Sequence, residues 1–99
     1  MSNVIFTAKY KLKENTEEQF LEIAKELKAI VKAEGLIKYD IFKMRNKNEY
    51  CEMFVFENAK AYENYDDSDE MLSLLLSKLS DLIVDGTIEY STYENFLED

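Results

Sequence analysis

Apolar and polar residues alternate through positions 4–13, VIFTAKYKLK. Val4, Phe6, Ala8, Tyr10 and Leu12 fall on one side, with Thr7, Lys9, Lys11 and Lys13 on the other. A period of two built from β-branched and aromatic residues predicts a strand. The period then lengthens: Phe20, Ile23, Ala24, Leu27, Ile30 and Val31 recur at helical spacing, which predicts a helix running to about Glu34. Thr16 followed three residues later by Gln19 has the spacing of a capping box, and Gly35 supplies a left-handed residue to end the helix. Strand patterns return at 36–45 and 49–57 around the turn-forming Asn46-Lys47-Asn48. From Asn58 the spacing predicts a short helix near 59–65, a break at Asp66-Asp67-Ser68 and a long helix over 69–84. Ser68 is placed to cap that helix, and Asp69 and Glu70 to complement its positive end. Gly86 closes it, and 87–96 predicts a last strand.

The two segments that follow the long helices look alike. GLIKYDIFK at 35–43 and GTIEYSTYE at 86–94 place Gly, Ile, Tyr and an aromatic in the same register, 51 residues apart. Two interleaved split βαβ units predict a ferredoxin-like βαββαβ domain of the α+β class over residues 1–99. It has a four-stranded antiparallel sheet with helices on one face. On that face fall Phe6, Ala8, Ile37, Tyr39, Phe54, Phe56, Ile88 and Tyr90. The other face carries Ile5, Phe42, Met44, Cys51, Met53, Val55 and Tyr93, rimmed by Thr7, Lys9, Lys38, Asp40 and Ser91. That is more apolar surface than a monomer leaves uncovered, and it predicts a two-fold homodimer formed sheet against sheet.

Composition narrows the chemistry. The chain has no His, no Pro, no Trp, two Gly and one Cys, so imidazole chemistry, disulfides and multi-cysteine metal sites are closed. Both glycines follow helices, which leaves none for a phosphate-cradling loop. The net charge of −9 is unevenly spread, with +2 over residues 1–50 and −11 over 51–99. No basic stripe is present, so nucleic acid and anionic membranes are poor partners. The 71–84 stretch is too interrupted by polar residues to span a bilayer, and no signal peptide is visible, so a cytoplasmic location is expected.

Four stretches carry a wider resemblance: VIFTAKYKLKENTEEQFLEIAKEL, AEGLIKYDIFK, YCEMFVFENAKAYENY and the closing IEYSTYENF. Together they resemble the antibiotic biosynthesis monooxygenase-like family of dimeric α+β barrels. The resemblance implies a homodimer with a pocket in each protomer between sheet and helices. It also implies oxygenase chemistry that uses no cofactor and no metal, an aromatic substrate supplying the electrons for dioxygen. The family's Trp at the end of the third strand corresponds to Phe56. A His in the short helix corresponds to Tyr65, and a further His falls near Glu70. An amide four residues before the Trp becomes Glu52, and a Tyr six residues after it matches Tyr62. The Asn of haem-degrading members aligns with Ala8, which argues against haem degradation.

Glu52 shares a strand face with Tyr50, Phe54 and Phe56. If helices cover that face, its carboxyl is desolvated and suited to accept a phenol or enol proton; if it lies at the sheet edge, it is a solvated or lysine-paired carboxylate. Tyr62 and Tyr65 are candidates to orient a substrate hydroxyl or carbonyl, or else pack with their hydroxyls in water. Glu52, Tyr62 and Tyr65 are thus the candidate catalytic residues. Phe6, Ala8, Tyr39, Phe54, Phe56 and Tyr90 are the candidate substrate-binding set, although the repeat also gives Tyr39 and Tyr90 a packing role. Cys51 reads as a small buried hydrophobe, and Asp66, Asp67, Asp69 and Glu70 as a solvated, helix-capping run. The expected function is a cofactor-independent monooxygenase-like protein for a small aromatic or quinone-like molecule. Its rivals are a non-catalytic small-molecule-binding barrel and an isomerase or lyase of a small oxygenated metabolite.

Overall fold

A computed structural model describes residues 2–97. The strands are β1 (Val4–Tyr10), β2 (Leu36–Lys43), β3 (Tyr50–Phe56) and β4 (Glu89–Glu94). The helices are α1 (Glu17–Ile30), α2 (Ala59–Glu63) and α3 (Glu70–Leu82). The strands form one antiparallel sheet in the order β2-β3-β1-β4. This is the ferredoxin-like α+β arrangement, with β1 and β3 internal and β2 and β4 at the edges.

The helical periods bury most of the residues they predict, but Ile30, at the last turn of α1, is exposed. Phe20, Ile23 and Leu27 of α1 and Leu72, Leu75 and Leu79 of α3 enter one core with Tyr10, Tyr39 and Tyr50 from the sheet. Each fully buried aliphatic side chain contributes about 1.5–3 kcal/mol. At one end of the sheet Phe20 meets Tyr10 and Tyr50 edge-on. Nearby, Leu12 bridges to Ile83, which fastens the exit of β1 to the exit of α3.

The helix ends differ from the pattern-based expectation. Thr16 forms no capping box, because its hydroxyl donates back to the Lys13 carbonyl. α1 stops at Ile30 with Val31 extended, so Gly35 (φ +83) serves the turn into β2 rather than the helix end. α3 is capped by Asp69, whose carboxylate accepts from Leu72 N–H, and not by Ser68. α2 is capped by Asn58 through Ala61 N–H.

Ile37 is a second departure. Leu36 pairs with Phe56 and Lys38 with Val55, so Ile37 is the extra residue of a bulge. Leu36 takes the place against the core, and Ile37 is 58% exposed. The bulge lies next to Gly35, where a Cβ would come within 2.5 Å of Ala61 Cβ on α2. Glu57 N–H donates to the Gly35 carbonyl at the same point.

Candidate functional site

Glu52 lies in the middle of β3, an inner strand, facing the helices. Its cross-strand neighbours are Ala8 on β1 and Ile41 on β2. It is therefore neither at an edge nor solvated, and it is only 6% exposed. Among the described residues no lysine pairs with it. Its partner is Tyr39, whose hydroxyl donates to Glu52 Oε1 at 2.7 Å. Burial pushes the carboxyl above the usual carboxylate range, opposed first by the hydrogen bond from Tyr39 and then by the neighbouring Tyr10 phenol, which forms no hydrogen bond of its own here. The phenols respond in kind. Both Tyr39 and Tyr10 are pushed well above the ordinary tyrosine range, by burial first and then by the charge of Glu52.

A cavity of about 380 Å³ opens between sheet and helices over this carboxyl. Phe6, Tyr39, Glu52, Phe54 and Phe56 form its sheet side, Leu27 comes from α1 and Val31 from the residue just after it, and Leu72 and Leu76 come from α3. Tyr62, Glu63, Tyr65 and Asp67 close the remaining side. The aromatic wall is continuous. Phe54 packs on Tyr39, Phe6 and Tyr65 at centroid distances of 4.7, 5.8 and 5.8 Å. Phe56 meets Tyr62 and Tyr65 edge-on at 5.6 and 5.5 Å. Such a slot suits a flat, largely apolar ligand with one or two polar groups.

A second chamber of about 330 Å³ adjoins the first and shares Phe6, Glu52, Phe54, Asp67 and Leu76 with it. Ala8, Tyr10, Leu79, Ser80, Ile83, Ile88 and Tyr90 complete it. Ala8 stands directly opposite Glu52 in the sheet, and its small side chain leaves this space open. Glu52 thus borders both chambers. Among the described residues no lysine or arginine lines either one, while Glu63 and Asp67 add acidic groups. A neutral ligand fits these walls better than an anion.

Of the nine residues singled out by sequence, Glu52, Tyr62, Tyr65, Phe6, Tyr39, Phe54 and Phe56 all line the larger chamber. Ala8 and Tyr90 do not; they line the second. Tyr62 lies on α2 and shares a hydrogen bond with Thr92 on β4 (Oη to Oγ1, 3.2 Å). Tyr65 lies two residues beyond α2, and its phenol is raised by burial and by the nearby charges of Asp67, Glu52 and Asp66. Tyr39 and Tyr90, equivalent in the repeat, have separated in role. Tyr39 is buried, whereas Tyr90 is 66% exposed, stacked on Phe6 on an edge strand. Ile88, expected under the helices, lies just before β4 and is 40% exposed.

Sequence reading missed Tyr10 and Asp67. Tyr10 is two residues beyond Ala8 on the same strand face, a signal that becomes visible only once the β1–β3 register is known. Asp67, read as part of a solvated run, borders both chambers. Its neighbour Asp66 is solvated as expected, held below the usual range by hydrogen bonds from Ser68. Cys51 is half-buried on the opposite sheet face, where burial raises its thiol.

The sequence signature of the antibiotic biosynthesis monooxygenase family matches residues 3–74, from β1 into α3. The chain belongs to that family. Solved structures with the same fold include a conserved protein from Bacteroides thetaiotaomicron described as a possible oxidoreductase. It is 21% identical with a TM-score of 0.75, over 95% of this chain and 98% of that one. A conserved protein from Methanosarcina mazei is 18% identical with a TM-score of 0.78, covering 94% and 92%. A variant of SnoaB, a cofactor-independent oxygenase from Streptomyces nogalater, is 16% identical with a TM-score of 0.75, covering 97% and 95%. No curated protein matches the chain. Among the described residues, no helix of this family member is long and apolar enough to cross a membrane.

Proposed function

We propose that this family member binds a small aromatic or quinone-like molecule in the larger chamber and oxidises it with dioxygen, without a cofactor. The supporting observation is Glu52: a carboxyl buried among aromatic rings, oriented by Tyr39 and bordering the cavity. A carboxyl raised toward neutrality is matched to taking a proton from a phenol or from a carbon beside a carbonyl. Tyr62 and Tyr65 orient the oxygen functions of the ligand, and Phe6, Phe54 and Phe56 hold its ring. The resulting anion passes an electron to dioxygen, and the two radicals combine at carbon. Loss of water then leaves a carbonyl. For an anthrone-type methylene the balance is CH2 plus O2 giving C=O plus H2O, with all electrons supplied by the substrate.

The test is oxygen uptake over an array of hydroquinones and anthrones, wild type against Glu52→Gln. Uptake well above that of the variant supports the reading; no difference rejects catalysis for those substrates. A second reading, binding without turnover, is favoured by Phe56 and Tyr65 standing where the resemblance places Trp and His. It gives a thermal shift without uptake, since a ligand at 100 times its Kd adds about 2.7 kcal/mol of stability.

The chain acts as a homodimer in this proposal, paired through the sheet face away from the helices. Phe42, Met44 and Tyr93 are exposed there, beside half-buried Ile5, Cys51, Met53 and Val55.

A further inference from the structure

Among the described residues, the buried side-chain polar atom left without a hydrogen-bond partner is the hydroxyl of Tyr10. The residue is 2% exposed, so water does not supply the missing partner readily. An orphan buried hydroxyl is costly, and Phe would fill the same space without that cost.

The sheet register gives the hydroxyl a place. Ile41 and Ala8 flank Glu52 directly; Tyr39 is two residues from Ile41 on β2, opposite Phe54, and Tyr10 is two residues from Ala8 on β1, opposite Tyr50. The two phenols therefore approach the same carboxyl along opposite diagonals, from strands on either side of it. One of them, Tyr39, is already bonded. A carboxylate has room for about four donors, and this one has a single side-chain donor.

The other groups around Glu52 do not meet that need. Tyr65 and Asp67 face it from the segment between α2 and α3, and Asp67 and Glu63 are acceptors with negative charge. α1 with its C-terminal neighbour Val31, and α3, present Leu27, Val31, Leu72 and Leu76 to the chamber. Tyr62 is engaged with Thr92. No cation lines either chamber among the described residues.

We infer that Tyr10 is a positioning residue for Glu52: its hydroxyl turns onto the carboxylate when Glu52 gives up its proton, completing a clamp of two phenols that Tyr39 begins. With Glu52 protonated, Tyr10 stands idle and its hydroxyl is orphaned. With Glu52 ionised, both phenols donate to it. The clamp thereby sets the pH at which Glu52 is available as a proton acceptor, and it rests on the reading of Glu52 as the base.

The experiment is a carboxyl titration of the ligand-free protein labelled with carboxyl-13C glutamate, comparing wild type, Tyr10→Phe, Tyr39→Phe and the double variant. Loss of a hydrogen bond to a charged group is expected to raise the Glu52 midpoint by about one pH unit or more in Tyr10→Phe, and further in the double variant. A midpoint unmoved in Tyr10→Phe but raised in Tyr39→Phe overturns the inference. Thermal stability gives an independent readout. Tyr10→Phe should match or exceed wild type below the Glu52 midpoint found in the titration, and fall below it above that midpoint; an equal difference at both ends also overturns it. Neither measurement needs turnover. Absence of oxygen uptake would reject the oxygenase and leave the clamp standing, whereas an unmoved titration would reject the clamp and leave the oxygenase open to its own test.

Discussion

Tyr39 on β2 reaches across to β3 and donates its hydroxyl to the buried carboxyl of Glu52 at 2.7 Å. The backbone behind Tyr39 is itself held, because Lys28 of α1 donates to the Tyr39 carbonyl and pairs with Asp40. Helix, edge strand and inner strand are thus joined through one tyrosine. Replacing it with Phe should cost about 1–2 kcal/mol, more at a pH above the Glu52 midpoint than at one below it, because a charged acceptor loses more than a neutral one. Urea denaturation at the two pH values measures it; an equal cost at both would show that Tyr39 is only packing.

Stability should also depend on Glu52 in a direction unusual for a carboxylate. Its folded pKa is raised, so between its unfolded and folded values the native state binds more protons than the unfolded chain. Its contribution is fully present below the unfolded value of about 4.5 and is lost as pH rises through the folded value. Glu52→Gln removes that decline. Melting temperatures measured from pH 4 to 9 should fall more steeply on the alkaline side in wild type than in the variant.

Phe56 is 1% exposed and sits under Tyr62 and Tyr65. Phe56→Ala should destabilise the fold by about 3–5 kcal/mol, through lost burial and the void left behind. Chemical denaturation checks this. A loss below 1 kcal/mol would mean that α2 and the following segment collapse onto the space.

The sheet face offers a separate test of assembly. Phe42 is exposed in the protomer, so Phe42→Asp should leave the fold intact while weakening a sheet-to-sheet dimer by at least tenfold. Sedimentation velocity at micromolar concentration distinguishes the outcomes. A wild-type monomer would refute the proposed pairing.

The pattern of the chain made the sheet, the helices and their buried faces legible, because periods of two and 3.6 report directly on which side chains share a face. Glu52 stood out as a charge on an apolar face, and it is buried there. Three of the features that escaped show why they did. Ile37 is displaced by a bulge, an added residue that flips the local alternation without changing composition. Thr16 satisfies a capping pattern yet spends its hydroxyl on Lys13. The partners of Glu52 depend on which residues of β1 and β2 stand beside β3, and register between strands distant in sequence is not written in either strand alone. That is why the pattern offers Tyr39 as a pocket wall or a packing residue, Tyr10 only as part of a strand, and neither as a partner of Glu52.

The two glycines that punctuate the repeat are equivalent in sequence and in positive φ, but not in surroundings. Around Gly86 a Cβ would meet nothing within 4 Å, whereas at Gly35 it would strike Ala61 on α2, the helix that carries Tyr62 to the cavity wall. That wall therefore rests against bare backbone at the start of β2, a close fit that any larger residue at position 35 would push apart. The matching glycine of the other half carries no such load.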